Sequence, residues 1–158
     1  MAEVLQIADG LKAEKYRVLL PQVAALSAGE TDDVALMANV SAALRETFGF
    51  FWVGFYRVQA DELVVGPFQG APACMRIRYG KGVCGTAWAE GRTVVVPDVS
   101  EFPGHIACSP FSRSEIVVPL WRDGRVWAVL DIDSDRPDNF DETDARCLED
   151  LCGEVFPR

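Results

Sequence analysis

Most of the residues able to do chemistry fall between Cys74 and Asp133. That stretch holds three of the five cysteines (Cys74, Cys84, Cys108), the only histidine (His105), and the acids Glu115, Asp131 and Asp133. A thiol looking at several carboxylates suits one kind of reaction. The sulfur attacks, a carboxyl group held neutral by its neighbours supplies a proton near neutral pH, and the remaining carboxylates seat an ammonium group. Cys108 is the candidate nucleophile, because it sits in an irregular loop just ahead of the acids.

Spacing decides less about the other cysteines. Cys74 and Cys84 form C-x9-C, and His105 with Cys108 forms H-x2-C. The paired C-x2-C spacing of zinc and thioredoxin-like sites is missing. A site built from Cys74, Cys84, Cys108 and His105 stays a minor alternative, and no metal is expected. Taken alone, Cys74 and Cys84 read as small buried apolar residues. Cys147 and Cys152 lie five apart on a helix, off a common face, and are expected to pack the same way. His105 reads as a loop residue satisfied by hydrogen bonds; when charged, it would favour a thiolate at Cys108. Gly80-Lys81-Gly82-Val83-Cys84-Gly85 lacks the ending of a phosphate loop.

The acids are placed by a hairpin. Runs 114–120 and 126–133 flank Arg122-Asp123-Gly124, and Asp-Gly between such runs is a strong turn signal. A two-residue loop would set Ile116 beside Asp131. A three-residue loop instead gathers Ile116, Val118 and Leu120 with Val126, Ala128, Leu130 and Ile132. That register pairs Glu115 with Asp131, puts Asp133 on the diagonal, and places Val117, Trp127 and Val129 on the acid face. Carboxylates on neighbouring positions, roughly 4.5–8 Å apart, raise at least one pKa. A solvated acidic sheet face is the plain alternative.

The elements that must hold this hairpin follow from periodicity. Residues 12–28 read as a helix that Pro21 kinks or divides. A second helix starts at a Thr31-Asp32-Asp33 cap, carries Val34, Met37, Val40, Ala43 and Leu44, and stops at Gly49. Phe50 to Val58 is a strand with Trp52, Gly54 and Tyr56 on one face and Phe51, Val53 and Phe55 on the other. After a turn at Ala60-Asp61-Glu62 come strands at 63–68 and 76–79, a short helix at 83–90 closed by Gly91, and a strand at 93–96. Residues 97–113 form a long irregular loop, a feature more often functional than not. A last helix follows Asp141, with a stripe of Asp144, Leu148, Leu151 and Val155.

This order gives an α+β domain whose largely antiparallel sheet is covered by helices. The chain is read as one domain over 1–158, with 1–30 a helical extension of a 31–158 core. Its net charge of -9, with no basic cluster, disfavours nucleic acid and anionic membrane. Met1-Ala2-Glu3-Val4 lacks the start of a signal peptide, so the expected location is the cytoplasm.

Five strings carry a family resemblance: Trp52-Val53-Gly54-Phe55-Tyr56, 80–87, 104–108, 114–120 and 130–134. In this order and spacing the chain resembles the free methionine-(R)-sulfoxide reductases, single-domain GAF-fold enzymes, from about residue 31 to about residue 152. The resemblance implies that Cys108 attacks the sulfoxide sulfur of free methionine-(R)-sulfoxide, releases methionine and becomes a sulfenic acid. It further implies that Cys74 resolves this as a disulfide and that Cys84 is a third family cysteine able to join resolution or recycling. No cofactor is implied, and thioredoxin is the external reductant. Glu115, Asp131 and Asp133 match acids of the substrate site; Trp52 and Tyr56 match aromatics around the substrate methyl group. The competing readings are a non-catalytic GAF module binding a small ligand and a peroxide-responsive thiol sensor. The terminal helices also offer a surface for a homodimer.

Overall fold

One six-stranded sheet separates two apolar layers. The computed structural model describes residues 4–157; Met1, Ala2, Glu3 and Arg158, on which the reading of the chain's start partly rests, lie outside the described residues. In chain order the elements are α1 (Lys12–Ser27), α2 (Asp33–Phe48), β1 (Trp52–Gln59), β2 (Glu62–Gln69), β3 (Arg76–Arg78), α3 (Gly82–Glu90), β4 (Val94–Val96), β5 (Ser114–Arg122), β6 (Arg125–Ser134) and α4 (Glu142–Val155). The strands run β3-β2-β1-β6-β5-β4, and every pairing is antiparallel.

Helix ends follow local chemistry. Asp32 caps α2 by accepting from the Ala35 amide, and Gly49 ends it in the left-handed conformation at φ 66°. Asp141 caps α4 in a reciprocal capping box with Asp144. Pro21 lies inside α1, which runs unbroken from Lys12 to Ser27, so the proline does not divide the helix. Val34, expected in the α2 stripe, is exposed instead; it sits in the first turn, before the helix reaches the core.

The larger core joins α1, α2 and α4 to one sheet face through Leu19, Val23, Met37, Val40, Leu44, Val53, Phe55, Ile116, Val118, Leu130, Ile132 and Leu148. Buried Asp144 ties α1 to α4, accepting from the Tyr16 hydroxyl at 2.7 Å and from Lys12 Nζ at 2.5 Å. On the opposite face Trp52, Tyr56, Leu63, Val83, Cys84, Val117 and Val129 form a smaller core beneath α3. Phe51 precedes β1 and packs on this second side, not with Val53 and Phe55 as alternation suggests.

The β5–β6 turn differs from its expected form. Arg122 pairs with Arg125 across two residues, Asp123 (φ 53°) and Gly124 (φ 73°), both left-handed. That is the tight turn whose twist suits a hairpin. A bulge then follows, because Trp121 pairs with Val126 whereas Leu120 pairs with Ala128. The extra residue, Trp127, restores the parity a two-residue turn alone would lose. Ile116 therefore faces Ile132, and Glu115 pairs with Asp133; Asp131 sits opposite Val117. The expected Glu115–Asp131 pair is shifted by two, leaving face membership intact for all three acids.

The bulge reverses two side chains. Trp127 turns to the helical side, against Phe156, and Val126 turns to the acid side. A cause is visible at the hairpin tip. The Arg122 guanidinium lies 3.9 Å over the Trp127 ring and bonds both oxygens of Asp33 at 2.9 and 3.1 Å. Stacking and a bidentate ion pair hold the tip against the start of α2.

Candidate active site

The site lies on the sheet face opposite the three packed helices. Glu115 on β5 and Asp131 and Asp133 on β6 line one cavity of about 50 Å³ together with Cys84, His105, Cys108, Trp52 and Tyr56. The sulfur expected to react and the carboxyl groups expected to assist it thus share one enclosure. Glu115 and Asp131 are only 6% and 5% exposed, which excludes the solvated acidic face.

Each wall has a structural reason. Trp52 and Tyr56, four residues apart on one face of β1, stack at 6.1 Å, and Phe68 extends the layer on Trp52 at 5.1 Å. Gly54 lies between them because a Cβ there would stand 2.2 Å from the Phe68 Cβ and 2.9 Å from the Trp52 ring. Trp52 donates from its indole to the Ala71 carbonyl at 3.0 Å, and the Tyr56 hydroxyl donates to the Cys74 carbonyl at 2.8 Å. The aromatic floor therefore fixes the segment that carries Cys74.

The long loop is anchored at its two ends. Val99 donates to the Arg113 carbonyl at 2.9 Å, and Arg113 donates to the Ser134 carbonyl at 2.7 Å. Between these anchors Cys108 is joined to Cys74 by a disulfide. Cys84, Cys147 and Cys152 are free thiols. A metal site using both Cys74 and Cys108 as thiolates is incompatible with that bond. Cys84 is buried, as a small apolar residue would be, yet its Sγ lies 4.0 Å from Glu115 Oε1, so it belongs to the acid cluster.

Burial and mutual repulsion set the protonation of this cluster. Burial pushes Glu115 well above the usual carboxylate range, and the charges of Asp131 and Asp133 push it further. Burial, then the Asp131 charge, raises Asp133 well above its usual value, with hydrogen bonding from Ser112 opposing. Asp131 is raised by burial but pulled back by hydrogen bonding from Glu115 and Cys84. The Cys84 thiol is driven far up by burial and then by the charges of Asp131, Glu115 and Asp133, which keeps it protonated. Asp131 is thus the carboxyl group whose upward shift two hydrogen-bond donors oppose. Its Oδ1 is buried without a hydrogen-bond partner, an arrangement that favours arrival of a strong donor.

His105 faces this cluster, with Nε2 3.7 Å from Glu115 Oε2, and burial lowers its pKa. That holds it neutral at pH 7, so a charged His105 promoting a Cys108 thiolate has no support. Spacing gave no hint of Phe51 or Ser112 in this cavity. One is an aromatic before its strand begins and the other a loop serine, and neither signals a site until the loop folds back.

The sequence model of the GAF domain family matches residues 34–155. The GAF domain-containing protein A of Dictyostelium discoideum is 56% identical, covering 96% of this chain and 96% of that protein. The free methionine-R-sulfoxide reductase of Escherichia coli is 46% identical over 91% of this chain and 88% of its own length. Among solved structures, the free methionine-R-sulfoxide reductase of Neisseria meningitidis in complex with its substrate superposes with a TM-score of 0.94. It is 56% identical and covers 96% of this chain and 92% of that one.

Proposed function

The chain belongs to the GAF-domain free methionine-(R)-sulfoxide reductases, and from that premise we propose that it reduces free methionine-(R)-sulfoxide to methionine at this cavity. The observation that carries the reading is the enclosure of Cys108 with Glu115, Asp131 and Asp133, while Cys74 is already bonded to Cys108. The Cys108 thiolate attacks the sulfoxide sulfur, and oxygen passes to Cys108 as a sulfenic acid when methionine leaves. The Cys74 thiol then attacks that sulfur and expels water, forming the disulfide. Two electrons have moved from two thiols to one sulfoxide. Thioredoxin returns them.

The acids divide the remaining work. Glu115, buried and flanked by two other carboxyl groups, is the neutral acid that protonates the sulfoxide oxygen. Asp131 receives the substrate ammonium, with its unpartnered Oδ1 as first acceptor. Trp52 and Tyr56 bracket the methyl group. A peptide-bound methionine has an amide in place of the ammonium, so binding it would leave buried charge unpaired and selects for the free amino acid. Cys84 acts as a protonated donor to the acids, and the Cys74–Cys108 bond supports Cys74 as the resolving thiol.

The test is methionine release from each sulfoxide stereoisomer, coupled to thioredoxin, with Cys108→Ser as control. Turnover of the R form alone, abolished by Cys108→Ser, is expected. Oxidation of the thiols by peroxide without methionine release would instead identify a thiol sensor. Ligand binding with no redox chemistry would identify a binding module.

A further inference from the structure

Resting on the proposed reduction, we infer that the surface around the Cys74–Cys108 disulfide is a docking face for a protein dithiol whose cysteine-bearing surface is apolar and rimmed with acids. Among the described residues, the exposed large hydrophobic side chains are Val4, Ile7 and Leu11 near the start, Val34 on α2, and then Met75, Tyr79, Ile106 and Phe111. The last four flank the bonded cysteines. Met75 is next to Cys74, and Ile106 and Phe111 lie two and three residues from Cys108. Their exposures are 73% for Met75, 57% for Tyr79, 37% for Ile106 and 67% for Phe111. Apolar side chains clustered in this way mark an interaction surface.

Charge points to the nature of the partner. The whole chain carries -9, yet segments 70–82 and 102–114 contain Arg76, Arg78, Lys81 and Arg113 and no acidic residue. Arg76 is paired with Glu62 at 3.2 Å, whereas Arg78, Lys81 and Arg113 are exposed. A basic island on an acidic protein steers the acidic surface of a partner to the disulfide. Such complementarity acts chiefly on the rate of encounter.

The chemical step is an ordinary exchange. A partner thiolate attacks one sulfur of the Cys74–Cys108 bond, the S–S bond breaks, and the other cysteine leaves as a thiolate. The partner's second thiol attacks the mixed disulfide, releasing both cysteines reduced and leaving the partner oxidised. Two electrons pass from partner to enzyme, and the two protons the partner's thiols give up are matched by the two the enzyme's thiols take up through solvent.

The experiment compares two reductants on the full chain: thioredoxin with its reductase and NADPH, and dithiothreitol. The variants are Met75→Ser/Phe111→Ser and Arg78→Glu/Lys81→Glu, all outside the cavity lining. The KM for thioredoxin is expected to rise about tenfold in each pair, with the rate in dithiothreitol within about twofold of wild type. The defect of the charge-reversed pair should shrink as ionic strength rises. An unchanged KM for thioredoxin overturns the docking face, and so does an equal loss with both reductants. Concentration-dependent self-association lost in Met75→Ser/Phe111→Ser, with thioredoxin kinetics unmoved, assigns the patch to a second copy and also overturns it. Should wild type release no methionine even in dithiothreitol, the proposed reduction fails by itself. NADPH oxidation during thioredoxin reduction of the isolated disulfide then still measures docking.

Discussion

The two faces of the β5–β6 hairpin are built from alternate residues of the same strands, yet they follow opposite rules. On the helical face Ile116, Val118, Leu130 and Ile132 are fully buried against α1, α2 and α4. On the other face Glu115 and Asp131 are buried almost as deeply among Trp52, Tyr56, Val117 and Val129. Carboxyl groups buried that far destabilise the fold when ionised, so they remain neutral or wait for a cation. One face stores folding free energy and the other spends some of it to hold reactive groups in place.

The contrast can be broken from either side. Leu130→Ala removes a fully buried side chain from the helical face and should lower stability by about 2–5 kcal/mol. Thermal unfolding would show a fall of about 2–4 °C per kcal/mol at this chain length. Whatever fraction stays folded should keep its substrate affinity. Next in size, Glu115→Gln or Asp133→Asn should slow methionine formation by about a hundredfold, near 2.7 kcal/mol of barrier, without loss of fold. Near-normal turnover in both amide variants would remove the acids from the chemistry. Equal loss of stability and activity on each face would erase the distinction altogether.

The smallest effect concerns pH. Glu115 and Asp133 have folded pKa values raised by burial and neighbouring charge, so the folded chain retains protons that the unfolded chain gives up. Their stabilisation is complete below the ordinary carboxylate pKa, about 4, and is lost as pH rises through the raised folded values. Melting temperature should therefore fall as pH rises above about 4, where the unfolded chain gives up protons that the folded chain keeps. Glu115→Gln should flatten that slope. An unchanged slope would mean that the acids ionise freely.

Much of the fold was readable because periodicity and punctuation are local. The Asp32 cap, the Gly49 and Gly91 stops and the alternation along β1 each reflect chemistry within a few residues. The hairpin shows where such reading ends. A three-residue loop and a two-residue turn with a bulge both put Ile116 on the same side as Ile132, so face parity alone could not tell them apart. Choosing between them changes which acid opposes Glu115 and where Trp127 points. Arg122, held by Asp33 from another element and stacked on Trp127, lies beyond the reach of any local pattern.

Sequence by itself settled that Glu115, Asp131 and Asp133 share one face and that a thiol-bearing loop precedes them, because strand alternation is a property of the backbone; it misplaced Trp127 and Val126, which the bulge exchanges. The resemblance implied the Cys74–Cys108 bond that the structure contains, but only the tertiary structure decided that Glu115 pairs with Asp133 and that Cys84 and His105 turn toward the acids. Those contacts join segments distant along the chain. Their geometry is fixed by how α3, the long loop and the aromatic floor of β1 close over one side of the sheet.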